Sequence, residues 1–251
     1  ALLGLPFDIH TGGIDHREIH HPNEIAQNQA FTGCGSLSCT DNSGARMWMH
    51  NNFLVERSGK MSKSSGEFLR IQLLIDKGFH PLAYRLMCLQ AHYRSELEFS
   101  WELLAAATTR LKRLVMAVEK WTAKHAAATD LPVFGDAWER ERTTVDLMAR
   151  FDAAISNDLN TAEALTILDE CLALKKIDTN CVISAASRMD MVLGLSLFTL
   201  DRVDLRVRPK AAVITEAEID AALASRKEAR ANKDFAASDA IRDDLIAKGV
   251  E

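Results

Sequence analysis

Apolar residues recur every three or four positions through most of the chain after about Leu82, which is the spacing of an amphipathic α-helix. Ser100, followed by Glu102, is a typical start for the clearest of these helices, which the pattern extends to Lys124. Its apolar stripe consists of Leu103, Leu104, Ala107, Leu111, Leu114, Val118 and Trp121. Further helices are predicted at about 136–156, 161–176 and 180–195, and together they form an α-helical bundle.

The C-terminal end has a different pattern. Residues 198–209 are charged and typical of a linker, and a helical hairpin is predicted after them at about 215–230 and 234–248. Thr215, with Glu218 three residues later, has the pattern of a capping box at the start of the first of these helices.

The N-terminal third carries most of the glycines and histidines. Nine of the twelve glycines fall within the first 78 residues, and seven of the eight histidines fall within the first 92. Glycine permits tight turns and close backbone approach, and histidine supplies metal and proton chemistry. We therefore expect the chemistry in an N-terminal α/β part, with the helices after it as scaffold.

Composition and charge narrow the class of protein. The 251 residues are 47% hydrophobic and carry a formal net charge of −5, which is typical of a soluble globular protein. No apolar run approaches the roughly 18 residues that span a bilayer, and no signal-peptide pattern is present, so a cytoplasmic protein is expected. The five cysteines have irregular spacings that do not indicate a disulfide framework.

Residues 7–16 combine a short β-type run with Gly12, Gly13 and Asp15. A glycine turn after a strand lets backbone amides approach a nucleotide, and a nearby carboxylate can hydrogen-bond ribose hydroxyls. A glycine-rich turn without any ligand fits this stretch as well.

His20 and Glu24 lie four residues apart around Pro22, which suits the first turn of a helix, so the two side chains can point to one side. An imidazole and a carboxylate at this spacing can supply two ligands of a tetrahedral zinc site. Cys34 and Cys39 are candidates for the others, although their spacing also fits a flexible loop. A solvated helix start is the alternative for His20 and Glu24.

Residues 56–66 form a polar loop that carries Lys60 and Lys63, with glycines on both sides. Such a loop can close over a polyphosphate, where its ammonium groups meet the charge that grows as pyrophosphate leaves.

The pentapeptide at 60–64, Lys-Met-Ser-Lys-Ser, is the second signature of class I aminoacyl-tRNA synthetases. With its neighbours it resembles cysteinyl-tRNA synthetase. Residues 151–161 and the terminal hairpin resemble the helical anticodon-side domain and the small C-terminal domain of that family, so the resemblance covers nearly the whole chain. The other motifs that carry it, in the same order as in the family, are at 7–15, 20–27, 48–50 and 92–95.

The resemblance implies a role for individual residues. Lys63 would contact the ATP phosphates, and His10 would lie at the edge of the amino-acid pocket. Lys60 and Lys63 would be the catalytic residues, and His20 and Glu24 would be zinc ligands. The nucleotide and substrate site would consist of Lys63, Ser62, Ser64, Gly12, Gly13, Asp15 and His10.

The implied reaction is activation of L-cysteine by ATP, with Mg²⁺, to cysteinyl-adenylate, followed by transfer to tRNA(Cys) by a monomer. Zn²⁺ would bind cysteine as a thiolate, a bond that serine cannot match. One alternative is a cysteine ligase of thiol-cofactor (mycothiol-type) biosynthesis, but the helical region after Arg150 favours a tRNA acceptor. A non-catalytic tRNA-binding module derived from a synthetase is another alternative.

The family's first ATP signature, His-Ile-Gly-His, and its upstream zinc-ligand cysteines do not occur in the sequence. We therefore expect a C-terminal portion of a synthetase that is inactive by itself. Four regions are predicted: the C-terminal half of a Rossmann-type catalytic domain at 1–55, a signature-loop and stem-contact region at 56–98, a helical anticodon-side domain at 99–200, and a linker with a truncated helical hairpin at 201–251.

Overall fold

The computed structural model describes residues 4–34, 43–56, 70–128, 135–210, 212 and 214–250. The lysine loop with Lys60, Ser62, Lys63 and Ser64 lies outside the described residues, as does Cys39. Contacts divide the chain into two units. The first consists of residues 1–68 and 82–202, and the second of residues 69–81 and 203–251. The four predicted region boundaries stay predictions.

The first unit begins with a β–α–β arrangement. It consists of strand β1 (Phe7–Gly13), helix α1 (His20–Thr32) and strand β2 (Ala45–Asn51). The two strands are parallel neighbours. Because a tight turn cannot join parallel strands, the connection between them needs a crossover, which α1 provides.

Strand β1 is longer than the glycine pattern indicated. Gly12 and Gly13 were expected in a turn, but both belong to the strand and pair with His50 and Asn51 of β2. The chain turns only after them, in a short 3-10 turn (Ile14–His16). Neither glycine has a positive φ, so the reason for glycine at position 12 lies in its packing.

A second pair of parallel strands follows. It consists of β3 (Leu54–Glu56) and β4 (Leu97–Phe99), and between them in sequence come helices α2 (Ile71–Asp76) and α3 (Pro81–Leu89). Leu54 pairs with Leu97 and Glu56 with Phe99.

The helical bundle of the first unit follows the predicted periodicity closely. It consists of α4 (Trp101–Ala128), α5 (Arg142–Ser156), α6 (Thr161–Leu172) and α7 (Thr179–Leu193). Ser100 Oγ accepts a hydrogen bond from the backbone N–H of Leu103 at 3.1 Å, which confirms Ser100 as the start of α4. Six of the seven stripe residues are buried, and Leu103 is 45% exposed because it lies beside the stripe through Leu104 and Ala107.

The helix predicted from about 136 begins later. Residues Ala137–Arg140 form a 3-10 turn, Glu141 has an extended backbone, and α5 begins at Arg142. The Thr144 hydroxyl donates to the carbonyls of Trp138 and Glu141 at 2.6 and 2.9 Å, and these bonds tie the turn to the first turn of α5.

The second unit contains α2 and a helical hairpin of α8 (Glu216–Ala231) and α9 (Phe235–Ala247). The capping box predicted at Thr215 is confirmed: Thr215 N–H donates to the Glu218 carboxylate at 2.7 Å, and Glu218 N–H donates to the Thr215 hydroxyl at 3.3 Å. Among the described residues, no helix combines the length and apolar character that a membrane span requires.

A buried carboxylate organises the end of α7. Asp190 is 7% exposed and accepts hydrogen bonds from the backbone N–H groups of Leu195 at 3.1 Å and Leu197 at 2.7 Å. The helix ends at Gly194, whose φ of +64° suits glycine. Burial raises the pKa of the Asp190 carboxyl, and the donated bonds partly oppose that rise.

We predict that Asp190→Ala lowers the free energy of unfolding by about 2 kcal/mol, because it leaves two buried N–H groups without an acceptor. Chemical denaturation measures this loss, and the slope of the unfolding free energy against denaturant concentration should stay unchanged. Asp152→Ala, on the exposed side of α5, is the matched control and should stay within about 0.5 kcal/mol of the unmodified chain. An equal effect of both substitutions would contradict the role of Asp190.

Candidate functional site

Five histidines gather where β1 ends and α1 begins. They are His10, His16, His20, His21 and His50. His21 is at their centre and is only 2% exposed. Its Nδ1 lies 2.7 Å from Nε2 of His50, so the two rings share a hydrogen bond.

The sheet register brings two of these histidines, His10 and His50, onto one face with Gly12 and Trp48. His10 pairs with Trp48, and Gly12 pairs with His50. Because successive side chains of a strand alternate between faces, all four positions lie on the same side of the sheet. Helix α1 covers that side through His21, whose ring centroid is 4.8 Å from that of His10 and 4.8 Å from that of Trp48.

Gly12 is the point of closest approach between the strand and the helix. A Cβ atom at position 12 would lie 2.6 Å from Cε1 of His21 and 2.7 Å from its Nε2. Real Cβ atoms do not come so close to neighbouring atoms, so a larger residue would displace the His21 ring. Glycine at position 12 therefore allows His21 to reach its buried place.

The buried His21 ring has a free nitrogen. Its Nε2 has no hydrogen-bond partner in the described part of the chain. Burial lowers the pKa of His21, and the neighbouring His10 and His50 lower it further, so the imidazole is neutral near pH 7. In the tautomer whose Nδ1 donates to His50, Nε2 of the neutral ring has an unshared lone pair and is a good ligand for a divalent metal.

Glu24 connects two histidines. One carboxylate oxygen lies 3.0 Å from Nε2 of His10, and the other lies 3.0 Å from Nε2 of His20. His20 and Glu24 therefore point to one side, as their spacing predicted. His10, His21 and Glu24 each offer a ligand atom, and these atoms lie within 4.8 Å of one another.

The described residues thus offer two donor sets that share Glu24. The sequence pattern indicates His20 with Glu24, and the geometry adds His10 with His21. Nitrogen and carboxylate oxygen donors suit zinc, and the unpartnered Nε2 of His21 fits a missing ligand. The residues present therefore fit a zinc ion.

The other residues implied at the nucleotide site lie nearby. Gly13 ends β1, and Asp15 lies in the following 3-10 turn with its side chain 57% exposed and 4.0 Å from His16. The Asp15 carboxylate occupies the position that a Cβ on Gly13 would take, so a larger residue there would make this exposed side chain move. The lysine loop at 60–64 cannot be placed against this cluster, because it lies outside the described residues.

The sequence prediction did not include His21, His50 or Trp48 among the site residues. Once two parallel strands are assumed, the two-residue spacing of His10 and Gly12, and of Trp48 and His50, indicates that these four positions share one face. Trp48 also has a buried Nε1 without a hydrogen-bond partner among the described residues.

Residues 1–109 match the family model of the tRNA synthetases class I (C) catalytic domain. The cysteine–tRNA ligase of Novosphingobium aromaticivorans is 65% identical over 252 residues, which cover 100% of this chain and 49% of that protein. Over its whole length the chain is similar to the C-terminal portion of cysteine–tRNA ligases.

Other cysteine–tRNA ligases show the same coverage. The Zymomonas mobilis enzyme is 48% identical over 99% of this chain and 52% of its own length, and that of Burkholderia lata, named cysteine–tRNA ligase 1, is 41% identical over 98% and 46%. The chain therefore spans about half the length of the curated relatives it matches.

A solved structure shares the fold. It is the LeuRS chain in a crystal structure of a LeuRS–tRNA–LeuAMS ternary complex from Agrobacterium radiobacter K84, with a TM-score of 0.56. The likeness covers 81% of this chain and 28% of that chain at 14% sequence identity. It supports the coarse class I synthetase fold of a mostly helical chain with few short strands.

We predict that the zinc affinities of single variants show which of the two donor sets binds the ion. Glu24→Gln should weaken zinc binding by more than the roughly 10-fold to 100-fold typical of an outer-shell partner, because both sets use Glu24. If His20 is a ligand, His20→Ala should weaken zinc binding as much as Glu24→Gln does. If His21 is the ligand, His21→Ala should cause that loss of affinity. Competition with a colorimetric chelator measures the affinity.

The control for these substitutions is His125→Ala, which lies on α4 outside the cluster. Zinc affinity that is unchanged in all three cluster variants would contradict a metal site here.

Proposed function

We propose that this chain forms the part of a cysteine–tRNA ligase that holds the metal side of the amino-acid site and the signature lysine loop. The reaction is ATP-dependent activation of L-cysteine, with Mg²⁺, and transfer to tRNA(Cys). The observation that carries the proposal is the cluster of histidines around Glu24, with the buried His21 and its free nitrogen, in a chain 65% identical to a cysteine–tRNA ligase. A cytoplasmic monomer is part of the same proposal.

Zinc in this cluster would supply a soft Lewis acid that holds the substrate sulfur as a thiolate. The chain's own residues then have clear tasks. Glu24 and the histidines hold the ion, and Gly12 keeps His21 close enough to take part. Discrimination against serine follows, since an alcohol is a far poorer ligand than a thiolate at neutral pH.

The nucleotide side of the proposed site uses the end of β1 and the lysine loop. Gly12, Gly13 and Asp15 lie at the carboxyl end of a parallel strand, where α/β folds bind nucleotides. Lys63 would meet the ATP phosphates, and Lys60, Ser62 and Ser64 would shape the loop around them. His10, which lies between Glu24 and Trp48, would border the amino-acid pocket.

The sheet supports the proposal that this chain is one part of a larger catalytic domain. Within the described residues, β1 pairs only with β2. Ile9 and Met47, on the face opposite His10, are 56% and 59% exposed. Parallel sheets are normally covered on both faces, so two parallel strands with apolar side chains in solvent are typical of an incomplete sheet. We therefore propose that the 251 residues do not form adenylate by themselves.

The acceptor proposed is tRNA and not the amino sugar of a thiol-cofactor ligase. Helices α5 to α7 and the hairpin of α8 and α9 make up much of the chain after residue 141. A small acceptor does not need such an extended helical region.

Complementation tests the proposal. The first half of the Novosphingobium aromaticivorans relative is added to the chain as a separate polypeptide, and cysteine-dependent ATP–pyrophosphate exchange is measured, followed by transfer to tRNA(Cys) or to an amino sugar. We expect exchange only with both polypeptides and transfer only to tRNA. A persistent lack of exchange, with tRNA binding retained, would favour a non-catalytic module.

We predict that Lys63→Ala in this complemented enzyme lowers the rate of adenylation by about 100-fold, equivalent to about 3 kcal/mol, as expected for a preorganised contact to the transition state. Pre-steady-state measurement of adenylate formation isolates that step. Lys227→Ala, on α8, removes a lysine outside the site and serves as the control. A change of only a few-fold in Lys63→Ala would show that Lys63 has no such role.

A further inference from the structure

The turn between α5 and α6 has an unusual backbone. Asp158 and Leu159 are consecutive non-glycine residues with φ of +54° and +56°. L-residues rarely adopt this left-handed conformation, and such strain persists only where surrounding contacts hold it. Backbone hydrogen bonds hold the turn to the end of α5, from Leu159 N–H to Ile155 and from Asn160 N–H to Ala154, both at 3.1 Å. Asp158 adds side-chain contacts to another segment.

Asp158 accepts hydrogen bonds from the segment that precedes β4. Its Oδ1 accepts from the Tyr93 hydroxyl at 2.6 Å, and its Oδ2 accepts from Nε of Arg94 at 2.6 Å. A second guanidinium nitrogen of Arg94 donates to Oδ1 at 3.1 Å, and the Asp158 carbonyl lies 2.9 Å from Nε2 of His92. One residue therefore orients three consecutive side chains.

The same segment holds the connection between β2 and β3. The backbone N–H of Asn52 donates to the carbonyl of Tyr93 at 2.8 Å, and the Asn52 side chain donates to the carbonyl of Arg94 at 3.1 Å. The next residue, Phe53, accepts from the N–H of Leu97 at 2.9 Å. Asp158 thus reaches the β2–β3 connection through two residues.

Along the sequence, this connection lies between a strand of the histidine cluster and the lysine loop. Strand β2 carries Trp48 and His50 of the histidine cluster, and β3 ends at Glu56, four residues before Lys60. We propose that Asp158 is a positioning residue that holds Tyr93 and Arg94, and through them sets where the chain leaves the histidine cluster toward the lysine loop. The importance of that path for catalysis rests on the function proposed above.

Stability alone does not explain this arrangement. The side chains of Arg94 and Asp158 are 62% and 44% exposed, and ion pairs so open to solvent contribute little to folding. Independent bonds already join the bundle to the end of α3: Thr161 donates to the Leu89 carbonyl at 2.8 Å, and Arg110 donates to the Gln90 side chain at 3.0 Å. Loss of the Asp158 carboxylate should therefore leave the bundle folded.

The first arm of the test uses the 251-residue chain. Asp158→Asn keeps a residue that tolerates positive φ but removes the charge. We expect the Asn52 amide to exchange with solvent roughly tenfold faster, while amides in α6 keep their rates. The pKa of Tyr93, raised mainly by its bond to Asp158, should fall, as followed by ¹³C resonances of the tyrosine ring. Asp152→Asn, on α5, is the matched control and should change none of these.

The second arm uses the complemented enzyme. Asp158→Asn should lower kcat for pyrophosphate exchange about tenfold and leave KM for cysteine within about twofold, because cysteine is held at the histidine cluster. An unchanged Asn52 exchange rate would overturn the proposal. Faster hydrogen exchange of the Asn52 amide with an unchanged kcat would also overturn it, since Asp158 would then be a structural contact only.

The two proposals fail separately. If the complemented enzyme without substitution shows no exchange activity, the proposed function is wrong. The Asn52 exchange rate in the chain alone still decides whether Asp158 sets the β2–β3 connection.

Discussion

The close packing of α1 against β1 at Gly12 is the constraint on which the candidate site depends. Only the absence of a side chain at that position lets the His21 ring enter the interior beside the strand. The ring is then buried, neutral and hydrogen-bonded to His50 through one nitrogen, while its other nitrogen has no partner in the described residues. An imidazole in solvent at the helix surface would not be buried, and water would bind the nitrogen that has no partner here.

Around this contact, the strands and the helix supply different side chains to the candidate site. The strands present His10, Trp48 and His50 from one sheet face, and the first turns of α1 present His21 and Glu24 against them. Side chains that come from two kinds of element cannot move independently, because the sheet register fixes one group and the helix fixes the other. Such rigid placement is what a metal site needs in order to select its ion and substrate.

The helical bundle contributes in a different way. Its core is formed by tightly buried aliphatic side chains, and its loops are held by specific polar groups such as Asp190 and Asn160. Asp158 is another such polar group, and its carboxylate accepts hydrogen bonds from Tyr93 and Arg94, in the segment that precedes β4. If Asp158 acts as proposed, the bundle influences the geometry of the candidate site without supplying a residue to it.

The sequence by itself determined the features that depend on near neighbours along the chain. The stripe of α4, the capping box at Thr215 and the approach of His20 to Glu24 all follow from a helical repeat of 3.6 residues, and the structure contains each of them. The α5 start at Arg142 was missed, because the preceding turn depends on hydrogen bonds of Thr144 that periodicity does not express.

Only the tertiary structure decided which distant residues meet. His21, Trp48 and His50 join the site because two strands separated by 31 residues pair in one register, and a shift of one residue would turn His50 to the other face. The sequence pattern could indicate the strands but not their register. Register results from the combined packing of α1 and both strands, which no local pattern contains.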